Sequence, residues 1–138
     1  MTSIGVDVFH SCLVLISIEV NSNNINYASV DGVLFNKLIT TLIKYPAGKT
    51  QTTYSIPSSV TSIITNAFQS CTFITSVTIP VGVTSIGQNA FYLCTSLTAV
   101  TIPSSVTSIG SGAFYECSSL TTATIPVGVT SIGAHAFQ

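Results

Sequence analysis

From Ile56 onward the apolar residues of the chain recur every 23 positions. Ile-Pro pairs begin at Ile56, Ile79, Ile102 and Ile125, and Ala-Phe pairs begin at Ala67, Ala90, Ala113 and Ala136. Cys71, Cys94 and Cys117 keep the same register, as do Ile74, Leu97 and Leu120, then Val77, Val100 and Ala123, so the unit reads IPxxVTSIGxxAFxxCxxLxxVT. A unit this short has no interior of its own. Stacked copies solve the problem, because each apolar side chain then sits on its counterpart in the next coil and the columns form one continuous core. The LxxVxIP segment alternates apolar and polar positions, which predicts one half-buried strand per coil, about 4.8 Å from the next in a parallel sheet. Proline closes that strand because it has no N–H to donate. VTSI predicts a second short strand, Gly87, Gly110 and Gly133 follow it where the chain turns back, and AFxxC suits a single tight helical turn. The expected architecture is a mainly β solenoid with 23-residue coils, a parallel sheet on one face, and short strands and single helical turns on the other.

The N-terminal segment fits the same template. Ile4, Gly5, Phe9, Cys12, Leu15, Ile18 and Val20 fall on the columns of Ile63, Ile64, Phe68, Cys71, Ile74, Val77 and Ile79, and Met1 takes the place of the repeat's valine. The apolar run HSCLVLISIEV is therefore the back half of a coil; it has neither the preceding basic residues nor the cleavage site of a signal peptide. From Val20 to Ile56 the interval is 36 residues, 23 plus an excess of 13, and the excess is placed between Phe35 and Ile56. There the sequence predicts a strand ending near Phe35, a second through Leu42 to Tyr45, a turn at Pro46-Ala47-Gly48-Lys49, and a strand through Tyr54 to Ile56, with a hairpin projecting from the stack. The whole chain, 1–138, is expected to be one solenoid domain: a partial repeat over 1–20, a longer repeat with the hairpin insertion over 21–55, and regular repeats over 56–138, the last incomplete.

Charge narrows the partners. Charged residues are 5% of the chain and the formal net charge is −1, so no basic patch is available for phosphates and nucleic-acid binding is excluded as an expectation. No apolar run reaches the roughly 18 residues of a membrane-spanning helix. Solubility must come from Ser and Thr hydroxyls.

The IPxxVTSIGxxAFxxCxxL unit, together with DGVLF and YPAGK upstream of it, closely resembles the BspA-like leucine-rich repeats. The resemblance covers essentially the whole chain and implies a right-handed leucine-rich repeat solenoid from a cell-surface or secreted protein, of a family associated with adhesion to extracellular proteins and to other cells. Ile64 departs from the pattern where the family has glycine, so the turn there must keep φ negative or carry strain. The tip of the hairpin, Asn36-Lys37-Leu38-Ile39-Thr40-Thr41, lacks a polar turn pair, which makes Lys37, Leu38 and Ile39 a candidate contact. The chain starts and stops inside repeat units without polar caps, so it reads as a section of a longer array and end-to-end self-association is expected.

Chemistry is sparse. A column of Cys12, Cys71, Cys94 and Cys117 points its thiols in parallel rather than toward one tetrahedral centre, and in-register spacing is wider than a disulfide prefers; buried free thiols are expected, with no metal and no cofactor. His10, His135, Asp7, Asp31, Glu19 and Glu116 are dispersed along the repeats, and no catalytic constellation is expected. The candidate binding face is the outward side of the strands: Ser76, Thr78, Ala99, Thr101, Thr122 and Thr124, with Glu19 and Ser55 continuing one column. Such a strip would serve a protein-binding or adhesion module acting through many weak contacts. A spacer within a longer solenoid, and an ice-binding Thr ladder, are the alternatives. Tyr92 and Tyr115 form a further aromatic column.

Overall fold

The computed structural model describes residues 3–5 and 7–138, so the expectation for Met1 lies outside the described residues. Among the described residues eleven short strands follow one another: β1 (Tyr27–Val30), β2 (Val33–Asn36), β3 (Thr41–Lys44), β4 (Thr53–Ser55), β5 (Ser62–Ile63), β6 (Ser76–Thr78), β7 (Ser85–Ile86), β8 (Ala99–Thr101), β9 (Ser108–Ile109), β10 (Thr122–Thr124) and β11 (Ser131–Ile132). From β3 onward they alternate between two sheets. The LxxVxIP strands make a four-stranded parallel sheet in the order β10-β8-β6-β4, and the VTSI strands continue a seven-stranded sheet ordered β1-β2-β3-β5-β7-β9-β11. Register within the regular repeats is 23 residues at every step: Tyr54 pairs with Val77 and Val77 with Val100, while Ile63 pairs with Ile86 and Ile86 with Ile109.

Between the sheets lies one core, built from columns. Phe68, Phe91, Phe114 and Phe137 stack nearly parallel with centroids 4.7, 5.0 and 5.0 Å apart. Tyr45 extends that stack, 5.2 Å from Phe68. Val60, Val83 and Val106 are fully enclosed, as are Ala67, Ala90 and Ala113. The columns read from the sequence are thus the columns of the fold, because a coil can bury apolar surface only against the coil beside it.

Two rails of threonine hold the coils at their edges. Thr84 donates both its N–H (2.9 Å) and its hydroxyl (3.3 Å) to the carbonyl of Thr61, and Thr107 and Thr130 each repeat the pair of bonds on the threonine one coil earlier. Thr75, Thr98 and Thr121 form the second rail on Thr52, Thr75 and Thr98. Each hydroxyl satisfies a carbonyl that the short strands leave beyond their ends.

Several details differ from the sequence expectations. The AFxxC segment is no helical turn. Its N–H groups do bond three residues back, as in Gln69 to Asn66 and Cys71 to Phe68, but Asn66 (φ 60°) and Ser70 (φ 61°) are left-handed and break the helix into successive turns. Asp7, Asn89 and His135 repeat the first of these positions, and Ser11, Leu93 and Glu116 the second. Glycine at 87 and 133 serves close approach instead of positive φ: a Cβ on Gly87 would lie 2.5 Å from the Ile64 carbonyl carbon, and one on Gly133 2.3 Å from Ser111 N. Ile64 is tolerated without left-handed strain because the coil before it is shorter at this corner. Leu42 to Tyr45 there matches Ile63 to Phe68 in the next coil, two residues fewer, so no backbone occupies the space.

The insertion is placed differently too. Tyr45 lies 23 residues before Phe68, in the same aromatic column, so the extra residues lie upstream of it. They form β1 and β2, an antiparallel hairpin whose two-residue loop, Asp31 (φ 51°) and Gly32 (φ 75°), is the positive-φ pair that such a tight turn requires. β2 then pairs antiparallel with β3, so the hairpin lies in the plane of the seven-stranded sheet and buries Val33, Leu34 and Phe35; it does not project. Cys12 also departs from its column's expected burial. The N-terminal coil keeps the local turn pattern, with Cys12 N on Phe9 O and Leu15 N on Cys12 O, yet Cys12 is exposed because none of the described residues covers it from the far side.

Candidate functional site

The outward side of the four-stranded sheet is built by strict strand alternation. In β6 and β8 the central Val77 and Val100 point into the core and the flanking residues point out. Register then assembles two columns: Thr53, Ser76, Ala99 and Thr122 in one, and Ser55, Thr78, Thr101 and Thr124 in the other. All eight side chains are exposed. The six residues predicted from the sequence are therefore brought together on one surface, and Ser55 is there as expected. Thr53 was missed, although it precedes Ser76 by one period. Glu19 does not join them: it accepts a hydrogen bond from the Ser17 hydroxyl, and its neighbour Ile18 bonds to Gly32, away from β4.

These hydroxyls differ in kind from the threonine rails. The rail hydroxyls are spent on backbone carbonyls, whereas among the described residues those of Thr53, Ser55, Ser76, Thr78, Thr101, Thr122 and Thr124 have no hydrogen-bond partner within the chain. Each can donate one bond and accept two. The surface is also uncharged, since after Lys49 the only Asp, Glu, Lys or Arg is Glu116. What it offers is a ladder of neutral donors and acceptors at strand spacing, about 4.8 Å per rung.

The turn between β2 and β3, which the sequence reading took as the hairpin tip, is a different surface. Asn36 organises it: its Oδ1 accepts from Thr40 N (2.8 Å) and Thr41 N (2.9 Å), and its Nδ2 donates to the Thr40 hydroxyl. That side chain supplies the polar turn element the sequence lacked, and it holds Ile39 at φ 55°, a costly conformation for a β-branched residue. Leu38 is exposed, Ile39 packs partly on the core, and Lys37 Nζ is tied to the Ser22 carbonyl at 3.0 Å. Of the three predicted contact residues, only Leu38 is left as a free apolar side chain.

The cysteines carry no converging chemistry. Cys94 Sγ donates to Phe68 O and Cys117 Sγ to Phe91 O, both at 3.1 Å, and all four thiols are free. Burial pushes the Cys94 thiol well up and the Cys117 thiol up to about 12, so neither supplies a thiolate near neutral pH. Among the described residues no three His, Cys, Asp or Glu side chains converge as metal ligands. Tyr92 and Tyr115 stack at 5.7 Å, and His135 meets Tyr115 edge-on at 6.4 Å.

The profile of the BspA type leucine rich repeat region matches residues 45–138 in 6 copies. A leucine rich cell surface protein from Faecalibacterium prausnitzii is 28% identical over all of this chain, with a TM-score of 0.74, and the chain spans 43% of that protein. A leucine-rich repeat protein from Bacteroides capillosus is 30% identical, with a TM-score of 0.71 over 78% of this chain and 87% of that one. The pneumococcal vaccine antigen PcpA shares the fold at 22% identity and a TM-score of 0.66, over 86% of this chain and 36% of the antigen. No curated protein matches the sequence.

Proposed function

Because the chain belongs to the BspA-type leucine-rich repeat family, we propose that it is a non-catalytic binding module of a surface or secreted protein, docking extracellular proteins along its four-stranded sheet. The observation that supports this reading is the row of outward hydroxyls with no partner in the chain, on a face free of charge. A regular ladder of this kind offers an extended segment of a partner many modest hydrogen bonds without a desolvated charge, and affinity then grows by multivalent display. The cell-surface setting rests on the name of the F. prausnitzii relative.

A spacer role is the second reading, and it is favoured by how little of the longer relatives the chain spans, 43% and 36%. One experiment separates the two. The chain, displayed on beads, is offered immobilised extracellular-matrix proteins beside a variant carrying Thr78→Lys, Thr101→Lys and Thr124→Lys. A second variant carries lysine at Thr84 and Thr107, on the rail. Retention that is lost with the sheet-face variant and kept with the rail variant supports docking on the face. Absence of retention for the unaltered chain, where a longer protein containing it is retained, gives the spacer reading.

A further inference from the structure

The shortened corner before Ile64 leaves a cleft of about 220 Å³ between Asp7, Val8 and Phe9 of the first coil and Ile64 and Asn66 two coils on. Lys44 lines it too, in the place that Ala67, Ala90 and Ala113 hold in the later coils. Its side chain is the one buried charged group among the described residues, 7% exposed. Nζ makes a single hydrogen bond, to Asn66 O at 2.9 Å, so two of the three N–H groups of an ammonium are left without an acceptor. No carboxylate lies within ion-pair distance of it, and the acid that lines the cleft, Asp7, accepts from Asn66 Nδ2 instead. The backbone adds further donors. In the later coils the N–H groups of Asn66 and Phe68 bond the Gln88 and Ala90 carbonyls of the coil that follows, at 3.0 and 2.6 Å, and those of Asn89 and Phe91 do the same one coil on. Asp7 and Phe9 hold these positions in the first coil, but the coil that follows them passes the corner as the extended β3, and neither N–H has a backbone partner among the described residues.

We propose that this cleft binds a small monocarboxylate, free or at the C-terminus of a peptide, whose oxygens accept from the Lys44 ammonium and from the Asp7 and Phe9 N–H groups. A buried ammonium needs a counter-charge as well as hydrogen bonds, and a water molecule would supply an acceptor while leaving the charge uncompensated. A carboxylate supplies both, because its two oxygens can accept from several donors at once and its bonds to an ammonium are charge-assisted. Backbone N–H groups gathered in this way are a recurrent means of holding a terminal carboxylate. The Asp7 side chain at the edge of the cleft opposes a second negative charge, which selects a monoanion over phosphate or sulfate. Val8 and Ile64 offer apolar contact to a short alkyl group or to the last residue of a peptide. Burial pulls the Lys44 pKa down against the upward pull of Cys71, and a bound carboxylate adds to the upward pull, so occupancy keeps the amine charged.

Titration of the isotope-labelled chain with N-acetylglycine, followed by the amide resonances, tests this directly. N-acetylglycinamide, which differs in lacking the carboxylate, is the control on the unaltered chain, and acetate is the free-carboxylate arm. The expected result is a saturable shift of the Asp7 and Phe9 amides with a dissociation constant of about 1 mM for N-acetylglycine. N-acetylglycinamide should give none, and Lys44→Met, checked for a folded spectrum, should weaken binding about tenfold or more. Acetate binding as tightly as N-acetylglycine supports the site with a free carboxylate as sufficient ligand, and tighter binding of N-acetylglycine supports it with a peptide terminus as the source. The absence of a saturable shift with either carboxylate overturns the proposal and leaves the cleft to water. An equal response to N-acetylglycinamide overturns it as well, and so does an affinity unchanged in folded Lys44→Met.

Discussion

Replacing Phe91 by alanine removes the middle ring of the aromatic column and measures how far stability resides in stacking between coils. The side chain is fully enclosed and lies between Phe68 at 4.7 Å and Phe114 at 5.0 Å, both rings within 10° of parallel with it. Truncating a buried phenylalanine costs about 3–5 kcal/mol in transfer and cavity terms, and the upper half of that range applies here because two ring contacts are lost, each worth about 0.5–1.5 kcal/mol. Phe137 is the control. It is 38% exposed and stacks on one ring only, at 5.0 Å, so its truncation should cost about 1–2 kcal/mol. In urea, with a slope of about 2 kcal/mol/M, Phe91→Ala should lower the midpoint by about 2 M and Phe137→Ala by less than about 1 M. A central defect also weakens coupling between the two ends of a one-dimensional stack, so the Phe91 variant should unfold over a broader range. Equal midpoint shifts for the two variants, or a Phe91 shift below about 0.5 M, would refute the reasoning.

Thiol reagents at neutral pH should modify Cys12 rapidly and Cys71, Cys94 and Cys117 only on unfolding, four thiols being counted in denaturant; fast native labelling of Cys94 would contradict its burial. Stability should fall as pH rises above about 9. The folded chain holds protons on Cys94, on Cys117 up to about 12, and on Tyr45 up to about 12, while the unfolded chain releases them earlier, from the ordinary values of 9.0 and 10.0. Lys44, lowered by burial, works in the opposite sense, so Lys44→Met should steepen the alkaline loss seen in a denaturant series at several pH values. At the β10–β11 end, Ile125, Ile132 and Phe137 are each more than a third exposed, beside two unpaired strand edges. A second copy is expected to cover them, so light scattering should give a mass above that of the monomer, reduced by Ile132→Lys. No thermal hysteresis is expected, because Ala99 interrupts one hydroxyl column and the sheet is only four strands wide.

The regular coils were legible because a solenoid repeats one set of contacts, so a column in sequence is a column in space. Phe68, Val83 and Leu97 could be placed in the core from spacing alone, and so could the outward Ser76, Thr78 and Thr101. Legibility failed where the period is carried by substitutes. Tyr45 stands in the phenylalanine column and Gly48 in the cysteine column, and Gly48 is needed because the N-terminal coil passes so close that a Cβ would meet the Val14 carbonyl carbon at 2.5 Å. Read by residue type, YPAGK looks like a turn after a projecting hairpin. Aligned by position, it continues the repeat in register just after a corner two residues short, between Leu42 and Tyr45, and the hairpin must lie before it. The distinction between bound and free hydroxyls was likewise out of reach, since Thr75 and Thr78 are alike in composition and differ only in whether a carbonyl from the previous coil lies within reach. Lys44 did leave a signal: lysine in a column of alanines has no room in a regular stack. Such a residue forces either a charge into the core or a gap in the coil to receive it. The coil has the gap, and across it the Lys44 Nζ donates to the Asn66 backbone carbonyl at 2.9 Å.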